Sequence, residues 1–485
     1  MPSPKSRIEL HLYCHGLGDC HLLRLPSKDG DQWILIDCGI HTSMSGGADR
    51  IRTVVEDVLD KTNGKLRAIV GTHEHWDHNS AFHPAQGLFT DCTVAEVWFA
   101  WTENDGNDEA KRLDKYKGEA TRTLQIAQRK LQQAQDDLQN RGSAQLHEAQ
   151  GLAELNSSLG GVLGFLGFDS PSSGPMSANA ALAGAFGLEG DRVRAARENL
   201  KSLGTPKYLE PGDVIELSDQ IRCYVLAPAH DTNFSHLDDK DLTYSAAAAA
   251  PLLTALQNAL AAKELEDDPT SPFDGDEGEP LDKARGDPFL RTHYDNEPWR
   301  RIDNDWLMPT TELALQLDKR TNNTSLVLAF EIIASRHVLI FAADAQIGNW
   351  QTWHTVVFPA NGARPRVTGK DLLERAVFYK VGHHGSRNAT MSTGGLELMT
   401  SLEIAFNPTD RDMAKKVKWE DIPAKNLNEK LKRSTSGRLI QSDQLDTLDL
   451  TKFVAGGALG SNVEIQVAKG HAGRPSIECV ICSIV

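Results

Sequence analysis

Long apolar runs are missing from this chain. No stretch approaches the roughly 18 consecutive apolar residues that a membrane-spanning helix needs. The opening Met1-Pro2-Ser3-Pro4-Lys5 carries no apolar core of the secretory type. No membrane partner is therefore expected, and the expected location is the cytoplasm. Cysteine is sparse: seven among 485 residues, at Cys14, Cys20, Cys38, Cys92, Cys223, Cys479 and Cys482. An odd, scattered set makes no disulfide framework, so reduced thiols are expected. The terminal Cys479-Val480-Ile481-Cys482 has CxxC spacing but no second pair, and its β-like apolar setting reads as buried thiols. Aromatic residues are only 6% of the chain. Trp98, Trp101, Trp299 and Trp306 are scattered, so the stripe of rings that stacks bases in single-strand binding folds is not evident.

An excess of positive charge is also lacking, since the net charge is −16. Taken as a sum, that counts against a polyanionic partner. The distribution softens the objection. Residues 263–306 hold fourteen acids and six bases, whereas residues 364–438 hold fifteen bases and nine acids. Local field steers a charged substrate to a cleft more than the total does. Two solvated faces of opposite sign would give the same counts.

What is present is concentrated in Thr72-His73-Glu74-His75-Trp76-Asp77-His78. It follows Leu66-Arg67-Ala68-Ile69-Val70-Gly71, whose length and β-branching read as a buried strand, so these side chains fall on the loop where the strand ends. Imidazole and carboxylate in this pattern can serve two adjacent metal ions, His73 and His75 one, Asp77 and His78 the other.

Around that loop the sequence reads as a strand-rich core interrupted twice. Ile8, Leu10 and Leu12 alternate with polar residues, Leu22–Leu25 and Trp33–Asp37 read as further strands, and Ile51, Val54, Val55, Val58 and Leu59 fall at helical spacing. The expected layout is core over 1–103, a helical insertion over 104–204, core strands over 205–230, an acidic helical and irregular insertion over 231–307, and the second half of the core with a basic extension over 308–485. In the first insertion, Leu124, Leu131 and Leu138 recur every seven residues with Ala120, Ala127 and Ala134 between them. That seam over 107–142 suits a helical hairpin, or else a protein partner or self-association. Residues 156–168 are Gly-rich and apolar, either a lid or a cap packed on those helices. The second insertion holds an Ala/Leu-rich helix around 246–262 and then the acidic tract.

Further candidate site residues end other strands. Asp344 follows Val338–Ala343, where a carboxylate bridging two cations would hold them roughly 3.5–4 Å apart. Gly382-His383-His384-Gly385-Ser386 offers one imidazole to a metal and a second to proton transfer or substrate, with His383 taken as the ligand and His384 as the catalytic partner of Asp77. Asp37 ends a strand and reads as the carboxylate that orients a ligand histidine.

Taken in order, Gly16-Leu17-Gly18-Asp19, Asp37-Cys38-Gly39, His73-x-His75-x-Asp77-His78, Asn322-Asn323-Thr324-Ser325-Leu326, Asp344 and Gly382-His383-His384-Gly385-Ser386 resemble the metallo-β-lactamase fold superfamily. Within it they resemble the branch typified by the hydrolase domain of the competence protein ComEC. The resemblance implies an α/β, four-layered αββα sandwich with the metal site along one edge. It also implies a metal-dependent hydrolase and, for the branch, phosphodiester substrates. Two elements depart from the superfamily; one is Asn79-Ser80, in place of the usual pair of small residues after the His motif, with His83 close behind and given no role. The Gly-His-Thr segment that supplies a further ligand is replaced by Arg320-Thr321-Asn322-Asn323, and His230, which ends a strand, is either its substitute or an ordinary loop histidine.

The expected chemistry follows from the ions. Two divalent cations, zinc first and manganese as the alternative, would bring bound water to a pKa of roughly 7. Ser386, Arg387 and Lys380 would hold a flanking phosphate, with Asn323 beside the substrate. The expected function is a phosphodiesterase or nuclease acting on a nucleotide or nucleic acid. The alternatives are hydrolysis of an acyl, lactone or lactam substrate, and an inactive scaffold for a protein partner.

Overall fold

The computed structural model describes residues 8–140, 160, 162–167, 192–230, 283, 286–290, 292–293, 307–416, 419, 422–453, 463–469 and 478–484. The chain divides into two compact units. The first comprises Met1–Asp114, Gly160–Ser245 and Asp318–Val485, the second Lys115–Leu159 and Ala246–Leu317.

The first unit begins with β1 (Ile8–Cys14), β2 (Cys20–Leu25) and β3 (Gln32–Cys38), an antiparallel meander. Helix α1 (Gly47–Thr62) then crosses to β4 (Lys65–Gly71), which pairs parallel to β3. The one-turn helix α2 (Trp76–Asn79) precedes β5 (Thr93–Ala100). After the long helix α3 (Asp108–Asn140) come α4 (Arg192–Ser202) and β6 (Thr205–Leu209), and β4, β5 and β6 run parallel.

The second sheet opens with β7 (Val214–Glu216) and β8 (Ile221–Ala227). Helix α5 (Leu307–Asn323) leads into the hairpin β9 (Val327–Ile332) and β10 (Val338–Phe341). Then follow α6 (Ile347–Trp353), a ribbon of β11 (Val357–Phe358) and β12 (Val367–Thr368), α7 (Gly369–Glu374) and β13 (Ala376–Lys380). The sheet is completed by β14 (Ile404–Asn407), α8 (Lys425–Ser434) and β15 (Leu439–Gln441). The last strands, β16 (Val463–Lys469) and β17 (Glu478–Ile484), return to the first sheet, where β17 pairs antiparallel with β1. Strand orders are β16-β17-β1-β2-β3-β4-β5-β6 and β15-β14-β13-β10-β9-β8-β7.

Three apolar layers give the stacking. Leu10, Leu12, Leu23, Ile34 and Val70 of one sheet meet Val225, Leu328, Phe330, Leu339 and Phe406 of the other. Because strand residues alternate in direction, Leu22, Leu35 and Ile69 point outward onto Ile51, Val55 and Val58 of α1 and Ala196 and Leu200 of α4. On the far side, Ala329, Ile340 and Tyr379 pack against Trp350 and Trp353 of α6, Leu372 of α7 and Leu427 and Leu431 of α8. Helix, sheet, sheet, helix is the αββα sandwich of the metallo-β-lactamase fold.

Two placements differ from the sequence reading. Helix α4 falls within the expected insertion 104–204, yet its apolar side belongs to the core of the first unit. The end of the chain, read with the second half of the core, instead extends the first sheet, because β17 hydrogen-bonds the free edge of β1. In the second unit Ala120, Leu124, Ala127 and Leu131 are buried. Leu138 and Ala134 as side chains, the 246–262 helix and nearly all of the acidic tract lie outside the described residues, as do the Cys479 and Cys482 side chains. No helix among the described residues is long and apolar enough to cross a membrane.

Trp353 is fully buried, its ring 3.8 Å from that of Trp350, and its Nε1 donates to Asn349 Oδ1 at 2.7 Å. Trp353→Ala should destabilise the first unit by about 3–5 kcal/mol, the usual cost of emptying an aromatic core position. Urea unfolding reads this as a lower midpoint, and an unchanged midpoint would contradict the packing.

Candidate metal centre

Strands β3, β4, β10, β13 and β14 bring their site groups to or just beyond their C-terminal ends, and the pairings of β3 with β4, β10 with β13 and β13 with β14 are parallel. Ligand sites in sheets of this kind lie outside the carboxyl ends of the strands. Here the five loops supply Asp37, the 73–78 segment, Asp344, His383–His384 and Pro408.

Glycine sets the closeness of the loops. A Cβ on Gly18 or Gly39 would collide with the backbone of Asp77. Asp19 N–H donates to the Asp77 carbonyl, and Gly39 N–H to that of Asp19, at 3.0 Å each. Asn79 donates its amide to the carbonyls of His73 and His75, and Ser80 Oγ accepts from Ile40 N–H at 2.8 Å. Asp37, Ala343, His383 and His384 all adopt left-handed φ, between 41° and 54°. Side chains other than glycine hold that conformation only where surrounding contacts fix it, and such residues cluster at functional sites.

Two donor groups result. Asp77, His78, Asp344 and His384 present atoms within 4.8 Å of one another, and so do His73, His75 and Asp344. Asp344 is common to both. His384 Nε2 lies 2.9 Å from Asp77 Oδ2 and 3.7 Å from Asp344 Oδ2, and His78 Nε2 lies 3.3 Å from that same Asp344 oxygen. Every one of these residues is buried. The outer nitrogens are tied back: His384 Nδ1 to the Pro408 carbonyl at 2.8 Å, and His78 Nδ1 to Asp37 Oδ2 at 2.7 Å. Thr72 holds Asp37 through its N–H and its hydroxyl, at 2.9 and 2.7 Å. Such anchoring fixes ring orientation and turns Nε2 toward the cluster.

Charge explains the ionisation. Burial works against the charge of His78 and His384, but Asp344 and Asp77 outweigh it and hold both imidazoles above their ordinary range. Burial pushes His73 down, helped by His78 and His75, and takes His75 to about 3. Burial also opposes the charge on Asp344, yet His78, His384 and Lys380 keep its carboxyl well below the usual range. Asp318 goes the other way, pushed up to about 8 by burial and by the carboxylates of Asp344 and Asp77.

The residues fit a bound divalent cation on an independent observation. His73 Nε2, both nitrogens of His75, Asp77 Oδ1 and Asp318 Oδ1 are buried polar atoms with no hydrogen-bond partner. Buried polar atoms are normally satisfied, and a run of orphans in one place marks a binding site for an ion or ligand.

Several expected residues stand elsewhere. His383 is outside both donor groups: its Nδ1 meets Ser386 Oγ at 2.7 Å and the Gln346 amide at 3.3 Å, and its Nε2 lies 3.3 Å from Asn322 Nδ2. The left-handed backbone at both histidines turns His384, rather than His383, toward the carboxylates. His230 is not in the cluster either. Its ring stacks on Trp101 at 4.0 Å, and its two nitrogens meet Glu109 and Glu210. Lys380 is fully buried and ion-paired to Asp19, 3.5 Å from Asp344 Oδ1, so its ammonium neutralises carboxylates beneath the site instead of reaching a phosphate. Asn323 is buried too, its Oδ1 accepting from Asn349 N–H at 3.2 Å, which makes it a pin between α5 and α6. Arg387 is exposed.

Three features went unread in the sequence. Asp19 stood in the quoted Gly-Leu-Gly-Asp without a role, and Asp318 was signalled only by its helical i, i+4 relation to Asn322. Phe165, from the 156–168 segment, stacks over His75 and His384 with ring centroids at 5.5 and 6.2 Å, and on Trp419 at 4.8 Å. Phe165 thus caps the centre, a placement that the apolar composition alone did not locate.

Residues 16–115 match the sequence model of the Metallo-beta-lactamase superfamily. That span contains Asp19, Asp37 and the whole 73–78 segment. No curated protein matches the chain. The family match and the His/Asp groups together support a metal-dependent hydrolase as the general class.

Asp318 gives a pH signature. Its folded-state pKa, raised to about 8 from the ordinary value of 3.8, favours the protonated fold. In chelator-treated protein this contribution is complete below roughly pH 4 and is lost as pH rises toward 8, because the unfolded chain releases the proton first. Thermal unfolding should therefore show wild type losing stability from about pH 5 to pH 8, and Asp318→Asn should flatten that decline. Equal slopes would contradict the assignment.

Proposed function

We propose that this chain is a metal-dependent phosphodiesterase acting on a nucleotide or nucleic acid, of the branch that the ComEC hydrolase domain typifies. The observation that carries the reading is the sharing of Asp344 between two buried donor groups. One carboxylate common to two sites is the arrangement by which a cation pair spans an in-line displacement at phosphorus. Charge balance supports it. Asp19, Asp37, Asp77, Asp318 and Asp344 are buried carboxylates, and the Lys380 ammonium answers one of them. Divalent cations would take over from the His78 and His384 imidazoles the neutralisation of Asp77 and Asp344.

When bound, such cations act as Lewis acids that activate water and neutralise the non-bridging phosphate oxygens. His73, His75 and Asp344 would hold one, and Asp77, His78, His384 and Asp344 the other. The mixed nitrogen and oxygen donors accept zinc or manganese. Asp77 Oδ1, with no hydrogen-bond partner, takes and orients the proton of the attacking water, while its Oδ2 stays tied to His384. Asp37 keeps His78 facing inward through the 2.7 Å bond to Nδ1. Phe165 and Trp419 exclude bulk water from the centre, which strengthens each electrostatic contact there. Arg387, exposed one residue beyond Ser386, pairs with a flanking phosphate.

The test is metal-loaded protein against a bis-aryl phosphodiester, single-stranded DNA and a lactone. The phosphodiester should turn over, and Asp77→Asn should reduce turnover by more than about 100-fold, as loss of a group acting in the transition state does. Turnover of the lactone alone would replace this reading with acyl hydrolysis. No turnover and no bound metal would leave a scaffold.

A further inference from the structure

We propose that Asp318 is itself a ligand of this centre, supplying on the His73–His75 side the donor that Arg320-Thr321-Asn322-Asn323 lacks. The proposal rests on the metal-dependent reading of the site and extends its donor set by a residue outside both groups described above.

Geometry comes first. Asp318 Oδ1 lies 3.8 Å from His75 Nε2. Donors that share one ion at roughly 2.1 Å each are at most roughly 4.2 Å apart, so this spacing suits two ligands of one cation. Both atoms are buried and neither has a hydrogen-bond partner. An aspartate placed for structure alone would cap a helix or meet a base. Asp318 lies within α5, and its carboxyl approaches His75 and accepts from the Asn322 amide. A third carboxyl buried beside Asp77 and Asp344 is costly unless a cation offsets it.

The second oxygen is positioned by a chain of hydrogen bonds. Asn322 Nδ2 donates to Asp318 Oδ2 at 3.2 Å and to His383 Nε2 at 3.3 Å. His383 Nδ1 meets Ser386 Oγ at 2.7 Å and the Gln346 amide nitrogen at 3.3 Å, and Ser386 donates to Asn388 Oδ1 at 3.0 Å. Asn322, His383 and Ser386, which ligate nothing in either donor group, thereby become positioning residues for the Asp318 carboxylate. The result is a first site of His73, His75, Asp344 and Asp318, two nitrogens and two carboxylates, a harder set than one built on three imidazoles. Such a set shifts preference from zinc toward manganese.

The experiment is metal content and affinity of the full chain, dialysed against Mn2+ alone or Zn2+ alone, for wild type, Asp318→Asn, Asp318→His and Asn322→Ala. Near-UV circular dichroism of each chelator-treated variant verifies the fold. Wild type should bind two equivalents of Mn2+. Asp318→Asn should keep one and lose the second, Asn322→Ala should weaken the second by about 10–100-fold, and Asp318→His should restore binding with zinc now favoured over manganese. Two Mn2+ equivalents at wild-type affinity in a folded Asp318→Asn would overturn the proposal. Wild type that binds neither ion would overturn both this and the metal-dependent reading. If Asp318→Asn loses an ion while wild type leaves the phosphodiester intact, Asp318 stands as a ligand and the phosphodiesterase reading alone falls.

Discussion

Five carboxylates buried close together repel one another, and the loops around them are arranged in answer to that repulsion. Taking an unpaired carboxylate out of water costs several kcal/mol or forces it to take up a proton. The chain uses three responses. Lys380 is drawn fully inside to pair with Asp19 and approach Asp344. His78 and His384 are pulled up in pKa and share the charge of Asp77 and Asp344. Asp318, which has neither, is pushed toward neutrality. The gradient from Asp344 to Asp318 marks where positive charge is supplied by the protein and where it is still wanted.

That arrangement requires precise backbone placement, and the sandwich provides it. Parallel pairing of β3 with β4, of β10 with β13 and of β13 with β14 sets the strand ends side by side at fixed spacing. The strain of left-handed Asp37, Ala343, His383 and His384 is then borne by strands packed on both faces. Arg197 adds a second anchor from outside the meander: it pairs with Glu74, inside the His-x-His segment, and with Glu103 and Asp114. A loop so fixed by packing and ion pairs is pre-organised, and the histidines need little reordering when a cation arrives.

How much of this was legible depended on whether the signal was local. The 73–78 segment was readable because its candidate ligands lie within six residues and the strand before it has an unmistakable pattern. Asp344 and the His383–His384 pair were readable as polar residues ending apolar runs, but which histidine faced inward was not. That choice is made by positive φ at both residues, which composition does not encode. Lys380 read as a cation reaching a flanking phosphate, since lysine is almost never fully buried unless paired. Its partner Asp19 lies 361 positions earlier, so only the fold reveals the pair. Asp318 was hidden by its helix. Its neighbours in sequence are polar and helix-forming, and nothing in them distinguishes an inward aspartate from a solvated one.

The absence of the Gly-His-Thr segment expected from the resemblance looks different once α5 is placed. A strand-end histidine reaches a metal from a loop, whereas Asp318 and Asn322 approach His75 and His383 from one face of a helix, one turn apart. A shorter carboxylate on a rigid helix can stand in for a longer imidazole on a loop only if its second oxygen is held, which is what the Asn322 amide does. The Asn-Asn and His-His-Gly-Ser segments are then two parts of one device. On the proposal that Asp318 is a ligand, His384 would serve bound cations directly, and His383 would serve them through Asn322. The missing Gly-His-Thr histidine and the His383–His384 pair, 61 positions beyond Asn322, would then belong to a single structural change.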